Sequence, residues 1–128
     1  MSILLDSHAF LWWLTADPRL SVNAKSAIDN GETVRHVSAV TAYEIANKVR
    51  IGKLELAREI VDTFDEIIAA GRFSRLDITH VHALLAGQMP GTHRDPFDRL
   101  LAAQAITGSL AVVSCDTAFD DFGVARLW

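Results

Sequence analysis

Short runs of apolar residues alternate along the chain with longer stretches whose apolar positions repeat at helical spacing. The first run, Ile3-Leu4-Leu5, stops at Asp6 and has the composition of a strand buried on both faces. The same pattern predicts strands at 3–5, 34–38, 73–78, 110–114 and 124–127. It predicts helices at 9–14, 22–29, 39–48, 56–70, 80–86, 95–107 and 119–122.

Strands that alternate with helices predict an α/β fold built on a parallel sheet with right-handed crossovers. A chain of 128 residues, half of them hydrophobic, fits one globular domain over residues 1–128. The apolar runs are too short to span a bilayer and no signal-type segment opens the chain, so we expect a cytoplasmic protein with no membrane contact. The single cysteine, Cys115, agrees with a reducing compartment and excludes a cysteine-based zinc site.

The formal net charge is -4, which is unlike the basic balance of most nucleic-acid-binding domains. A protein that gathers carboxylates around a cation has this composition, because the bound metal neutralises part of the negative charge. The positions of the acids are therefore more informative than the net charge.

Four acids, Asp6, Glu44, Asp98 and Asp116, follow a predicted strand or open a predicted helix. Each has an ordinary structural explanation. Asp6, Asp98 and Asp116 suit helix N-termini, while Glu44 has capping-box spacing from Thr41 and ion-pair spacing to Lys48. For any one of them alone, capping is the better interpretation.

Helix capping explains each acid separately, but it does not explain why four strand-to-helix junctions all carry one. The strand-to-helix junctions of a parallel sheet lie on one edge, so the four carboxylates are expected to converge. Crowded carboxylates repel one another unless a counter-charge is present, and oxygen ligands favour Mg²⁺ or Mn²⁺. Such a cation activates water against phosphate esters. The residues thus predict a metal-dependent phosphodiesterase.

Four segments of the chain resemble the PIN-domain toxins of the VapC type. They are 3–14 (ILLDSHAFLWWL), 38–45 (SAVTAYEI), 93–105 (HRDPFDRLLAAQA) and 114–116 (SCD) followed by Phe119. The third segment is the most specific. Tyr43 stands where the family pattern leads us to expect Trp, a difference without expected effect on the chemistry.

The resemblance implies a three-layer α/β/α sandwich with a five-stranded parallel sheet, and a ribonuclease toxin of a type II toxin-antitoxin pair. It implies that Asp6, Glu44, Asp98 and Asp116 bind Mg²⁺ or Mn²⁺, with Glu44 directly or through water. Asp95 is a weaker candidate ligand because the N-cap role suits it. Such toxins usually dimerise, and the antitoxin tail occupies the active-site groove. DNA is contacted only through the antitoxin.

The basic residues nearest these motifs are candidates for binding the RNA backbone: Arg94, Arg99, Lys48 and Arg50. Arg99 fits equally well as a solvated helix residue.

Three other classes remain open. A receiver-like phosphotransfer domain also carries acids at strand ends, but it would need an acid cluster at the first strand and a late lysine, and neither is present near Asp6 or Asp116. A hydrolase using Cys115 would need a base at fixed spacing, and the thiol fits better as a small apolar group. A PIN-fold nuclease or binding module outside a toxin-antitoxin system remains the alternative. The sequence does not identify the RNA or the antitoxin.

Overall fold

The computed structural model describes residues 1–53 and 57–128, which form one five-stranded sheet with helices on both faces. The strands are β1 (Ser2–Leu5), β2 (Val34–Ser38), β3 (Ser74–Leu76), β4 (Ala111–Val113) and β5 (Arg126–Leu127). The helices in the described residues are α1 (Ser7–Leu14), α2 (Val22–Asp29), α3 (Ala39–Arg50), α4 (Arg58–Asp62), α5 (Phe64–Ala70), α6 (His80–Gln88), α7 (Pro96–Gly108) and α8 (Ala118–Asp121).

All neighbouring strands are parallel, and their order is β3-β2-β1-β4-β5. The central strand β1 is apolar because both of its faces are covered. Ile3 and Leu5 belong to one core, which is shared with α1 and α2, while Leu4 points to the other core, which is shared with α6 and α7. The predicted α/β/α sandwich with a five-stranded parallel sheet is confirmed.

Successive strands are added first on one side of β1 and then on the other. From β1 the chain moves outward through β2 to β3, and it then crosses to the other side of β1 to form β4 and β5. Leu5 pairs with Val113 at this point, so the carboxyl ends of β1 and β4 are adjacent. Open α/β sheets bind ligands at such a switch point.

The structure corrects the sequence prediction of a single helix at residues 56–70. Residue 56 lies outside the described residues, and the described remainder of that range contains two short helices, α4 and α5, separated at Thr63. The Thr63 hydroxyl donates to the Glu59 carbonyl oxygen at 2.8 Å, a contact that bends helices. The predicted strands at 73–78 and 124–127 are also shorter, at 74–76 and 126–127. In the described part of the chain, no helix is both long and apolar enough to cross a membrane.

Gln104 joins α7 to the sheet. Its side chain is 1% exposed, its Oε1 accepts a hydrogen bond from the Ser38 hydroxyl at 2.6 Å, and its Nε2 donates to the Asp77 carbonyl oxygen at 3.3 Å. Ser38 in turn caps α3 by accepting the Val40 N–H. One amide thus connects α7 to the ends of β2 and β3, which positions the acids of α3 and α7.

Replacing Gln104 with Leu keeps the side-chain volume but leaves Ser38 and Asp77 without these partners. We expect the free energy of unfolding in urea to fall by about 1–3 kcal/mol, because buried polar groups lose their hydrogen bonds. Gln88→Leu is the matched control, since Gln88 is exposed and donates only to the Leu84 carbonyl oxygen, and it should change stability by less than about 0.5 kcal/mol. Equal effects of the two substitutions would contradict the assignment.

Candidate active site

Asp6 lies at the carboxyl end of β1 and is 7% exposed. Its Oδ1 accepts the Ala9 N–H at 2.8 Å, which caps α1, and its own N–H donates to the Val113 carbonyl oxygen of β4. Burial raises the pKa of Asp6, and the negative charge of Asp116 adds to that rise. Ser114 and the Ala9 N–H offset part of it. The predicted capping role is real, and the carboxylate also faces a second acid.

Asp116 follows β4 and is exposed. Its N–H donates to the Ser114 Oγ at 2.9 Å, and its Oδ1 accepts the Ala118 N–H at 2.9 Å. These two bonds fix the turn between β4 and α8. Since β1 and β4 are paired, the turn places Asp116 beside Asp6 at the switch point.

Glu44 lies in α3, and its carboxylate is held by α1. The Ser7 hydroxyl donates to Glu44 Oε1 at 2.9 Å and lies 3.3 Å from the Thr41 Oγ1. The predicted capping-box role is wrong, because Ser38 caps α3 and Glu44 lies well inside the helix. Burial raises the pKa of Glu44, against the lowering effect of Ser7 and Lys48.

Asp98 lies in the first turn of α7, and His93 contacts it from the preceding loop. His93 Nε2 is 2.9 Å from Asp98 Oδ2. Burial raises the pKa of Asp98, His93 lowers it, and the charges of Asp95 and Asp116 raise it further. Asp95 itself caps α7 through the Phe97 N–H, as the sequence predicts.

The acids influence one another across the sheet edge. Asp116 raises the pKa of Asp6 and of Asp98, and Asp95 and Asp98 raise that of Glu44. All four predicted acids and Asp95 are therefore within electrostatic reach of another member. The tightest cluster is a different one: among the described residues, ligand atoms of His93, Asp95 and Asp98 lie within 4.8 Å of one another.

Sequence reasoning misses His93 as a site residue. The sequence places it only in a loop inside the most specific motif, because a histidine five residues before Asp98 has no regular helical relation to it. Its ring is held in place by an edge contact with Phe122, with 5.5 Å between ring centroids. The spacing His-x-Asp-x-x-Asp at a helix start is the available signal.

The donor set suits a hard divalent cation. It consists of carboxylate oxygens with one imidazole. Burial is the main cause of the raised pKa values of Asp6, Glu44 and Asp98, and the charges of neighbouring carboxylates add to the rise. A bound cation would relieve that repulsion.

Comparison with known proteins identifies the family. A family model described as PIN domain matches residues 3–125. The chain is also 30% identical over 116 residues to ribonuclease VapC22 of Mycobacterium tuberculosis (strain ATCC 25618 / H37Rv), a match that covers 90% of this chain and 87% of the relative. This chain belongs to the PIN-domain family. The expected resemblance to proteins of the VapC type is confirmed.

Solved structures share the fold of this PIN domain. VapBC2 from Rickettsia felis bound to a promoter DNA fragment matches with a TM-score of 0.74 and 14% identity, covering 98% of this chain and 97% of that one. VapBC-1 from nontypeable Haemophilus influenzae matches with a TM-score of 0.68 and 13% identity, covering 98% and 96%. At these identities the agreement concerns the fold.

The basic candidates differ in their surroundings. The Arg99 guanidinium donates to the carbonyl oxygens of Ala86, His93 and Met89, so its interpretation as a solvated helix residue is wrong. It holds the loop that carries His93. Arg50 Nη2 donates to the Asn47 side chain at 2.5 Å. Arg94 is exposed beside Asp95, and Lys48 is partly exposed on the same helix as Glu44.

Cys115 is poorly suited to act as a nucleophile in this PIN domain. Burial and the negative charge of Asp6 both raise the pKa of its thiol, which disfavours the reactive thiolate. These effects argue against a hydrolase that uses Cys115 as its nucleophile.

In the metal-free PIN domain, we expect Asp6→Asn to raise the melting temperature at pH 8 by a few degrees. Burial raises the folded-state pKa of Asp6. The contribution of this carboxyl group to stability is therefore fully present below its unfolded-state pKa, where the group is neutral, and it is lost as the pH rises through the folded-state pKa. Asn removes the buried charge and keeps the N-cap.

Melting curves in EDTA between pH 4 and pH 8 measure this effect, and the gain should shrink toward pH 4. The control is Asp17→Asn, because a hydrogen-bonded ion pair with Arg19 lowers the pKa of Asp17 and makes the charge there favourable. If Asp6→Asn melts at a lower temperature than the unmodified protein at pH 8, the charge of Asp6 is stabilised by its surroundings and the prediction is wrong.

Proposed function

We propose that this PIN domain is a Mg²⁺- or Mn²⁺-dependent endoribonuclease and the toxin of a type II toxin-antitoxin pair. The observation that supports the proposal is that Asp6 and Asp116 follow adjacent strands at the switch point, with Glu44 and Asp98 within electrostatic reach of the same group of acids, in a chain that is 30% identical to ribonuclease VapC22. We further propose that residues 1–128 act as one domain in the cytoplasm.

Asp6, Asp98 and Asp116 would hold one or two cations, with Glu44 binding directly or through water. His93 and Asp95 would complete the side of the site formed by the start of α7, since their ligand atoms cluster with those of Asp98. An imidazole nitrogen in the donor set favours Mn²⁺ over Mg²⁺. The role of Ser7 is to orient Glu44 by its hydroxyl.

When bound, the cation supplies an activated water and offsets negative charge on the phosphodiester. The chain contributes position rather than a nucleophile. Hydrogen bonds from Ala9 and Ala118 fix one oxygen of Asp6 and Asp116, respectively. Arg94 and Lys48 are the basic residues best placed to bind the RNA backbone, whereas the three backbone contacts of Arg99 leave it a structural role.

The proposed partners are an antitoxin protein and a second copy of the chain. The support for an antitoxin is that structures with this fold include VapBC2 bound to a promoter DNA fragment. Any contact with DNA would be made through that antitoxin. The rival is a PIN nuclease, or a binding module without catalytic activity, that works without an antitoxin.

Asp6→Asn and Asp98→Asn should each lower the rate of Mn²⁺-dependent RNA cleavage by at least about a hundredfold, because each removes a charged ligand. Isothermal titration with Mn²⁺ should show weaker binding for both variants. His93→Gln should weaken Mn²⁺ binding more than Mg²⁺ binding, because an amide lacks the imidazole donor. The control is Asp65→Asn, which changes an exposed acid paired with Arg75. Unchanged cleavage by Asp6→Asn would sink the assignment.

Expression of the unmodified chain in bacteria should arrest growth, and Asp6→Asn should not. If a small open reading frame adjoins the gene, co-expression of its product should restore growth and yield a stable complex on copurification. Growth arrest that no neighbouring gene product relieves would favour the solitary nuclease.

A further inference from the structure

Tyr43 presents an exposed aromatic ring next to the candidate active site. Its side chain is among the exposed large apolar groups, at 56%, although it directly precedes Glu44 in α3. The ring packs against Phe97 of α7, with 5.3 Å between centroids and 40° between planes. Phe97 is partly buried, so it supports one side of the Tyr43 ring while the other side remains in solvent.

The aromatic pair borders the acids. Phe97 lies between Asp95 and Asp98 in the chain, and its N–H donates to the Asp95 carboxylate at 2.9 Å. Tyr43 directly precedes Glu44 in α3, and Phe97 directly precedes Asp98 in α7. The contact between the two rings therefore joins the parts of these packed helices that carry the two acids. The Tyr43–Phe97 pair thus forms an apolar edge on an otherwise charged site.

An isolated exposed aromatic residue is ordinary and requires no function. Tyr43 differs because a second ring fixes its position and because its neighbours repel anions. Phosphates are disfavoured close to carboxylates that no cation neutralises, whereas an uncharged nucleobase is not. Aromatic rings bind unpaired bases by stacking, since every base offers a π face.

We propose that Tyr43 is the stacking platform for a nucleobase of a single-stranded RNA substrate, beside the phosphodiester that is cleaved. The inference rests on the proposed ribonuclease function and adds a residue that positions the substrate. The base must be unpaired to reach the ring, so duplex RNA cannot use this contact. Stacking is tolerant of sequence, so Tyr43 contributes affinity and position more than base identity.

The test uses the otherwise unmodified full chain with Mn²⁺ and single-stranded oligonucleotides that contain a fluorescent base analogue and phosphorothioate linkages, which slow cleavage. Tyr43→Phe should keep the dissociation constant within about twofold, because the π face remains. Tyr43→Leu, which keeps an apolar cover over Phe97, should weaken binding roughly tenfold and abolish the quenching of the base analogue. Leu84→Ala is the control, since Leu84 is 64% exposed on α6.

In the cleaving protein, Tyr43→Leu should raise KM more than it lowers kcat, and cleavage of a duplex of the same sequence should not depend on Tyr43. If Tyr43→Leu binds RNA as tightly as the unmodified chain and the chain cleaves RNA, the stacking role is overturned but the ribonuclease function is not. A change in oligomeric state without a change in RNA affinity would overturn it in favour of a protein contact. Failure of the unmodified chain to bind or cleave any RNA would overturn the ribonuclease function as well.

Discussion

Burial of an acid beside other carboxylates, at the switch point of a parallel sheet, is the constraint on which the rest of this structure depends. Asp6 is buried at the end of the central strand, and Asp116 lies beside it in the turn that follows the neighbouring strand β4. Both burial and like charge oppose ionisation of Asp6, so the site destabilises the metal-free protein. Two apolar cores, one on each face of β1, must hold the acids in place against that repulsion.

Capping and metal binding are compatible uses of the same side chain. Asp6, Asp95 and Asp116 each accept a backbone N–H through Oδ1, which leaves the second oxygen of each carboxylate for another partner. Asp98 is restrained through Oδ2 by His93. Fixing one oxygen before a cation arrives lowers the cost of ordering the site, as supporting contacts do in metal sites generally. A helix-cap acid at a strand end is therefore consistent with catalysis.

Local pattern accounts for what the sequence could predict, and contacts between distant residues account for what it could not. The apolar run 3–5 predicts β1 because both faces are buried, and Asp95-Pro96 predicts the start of α7 by its capping chemistry. The contact of Ser7 with Glu44 spans 37 residues and that of Ser38 with Gln104 spans 66, so neither leaves a trace in local spacing. Apolar residues repeat at helical spacing on both sides of Thr63, so the pattern within 56–70 did not predict that the helix ends there.

The acidic net charge bears on how a polyanion can bind here. Of the four basic candidates, Arg99 donates hydrogen bonds to backbone carbonyl oxygens and Arg50 donates one to Asn47. Lys48 and Arg94 remain as candidates for contacts with phosphates. If these two residues made the phosphate contacts of the proposed RNA complex, few counterions would be released, and the affinity for RNA would depend only weakly on salt. Under the proposed function, the binding free energy would then come mainly from the cation and from contacts that carry no charge. An exposed ring at the edge of the acids, such as Tyr43, supplies a contact of that kind.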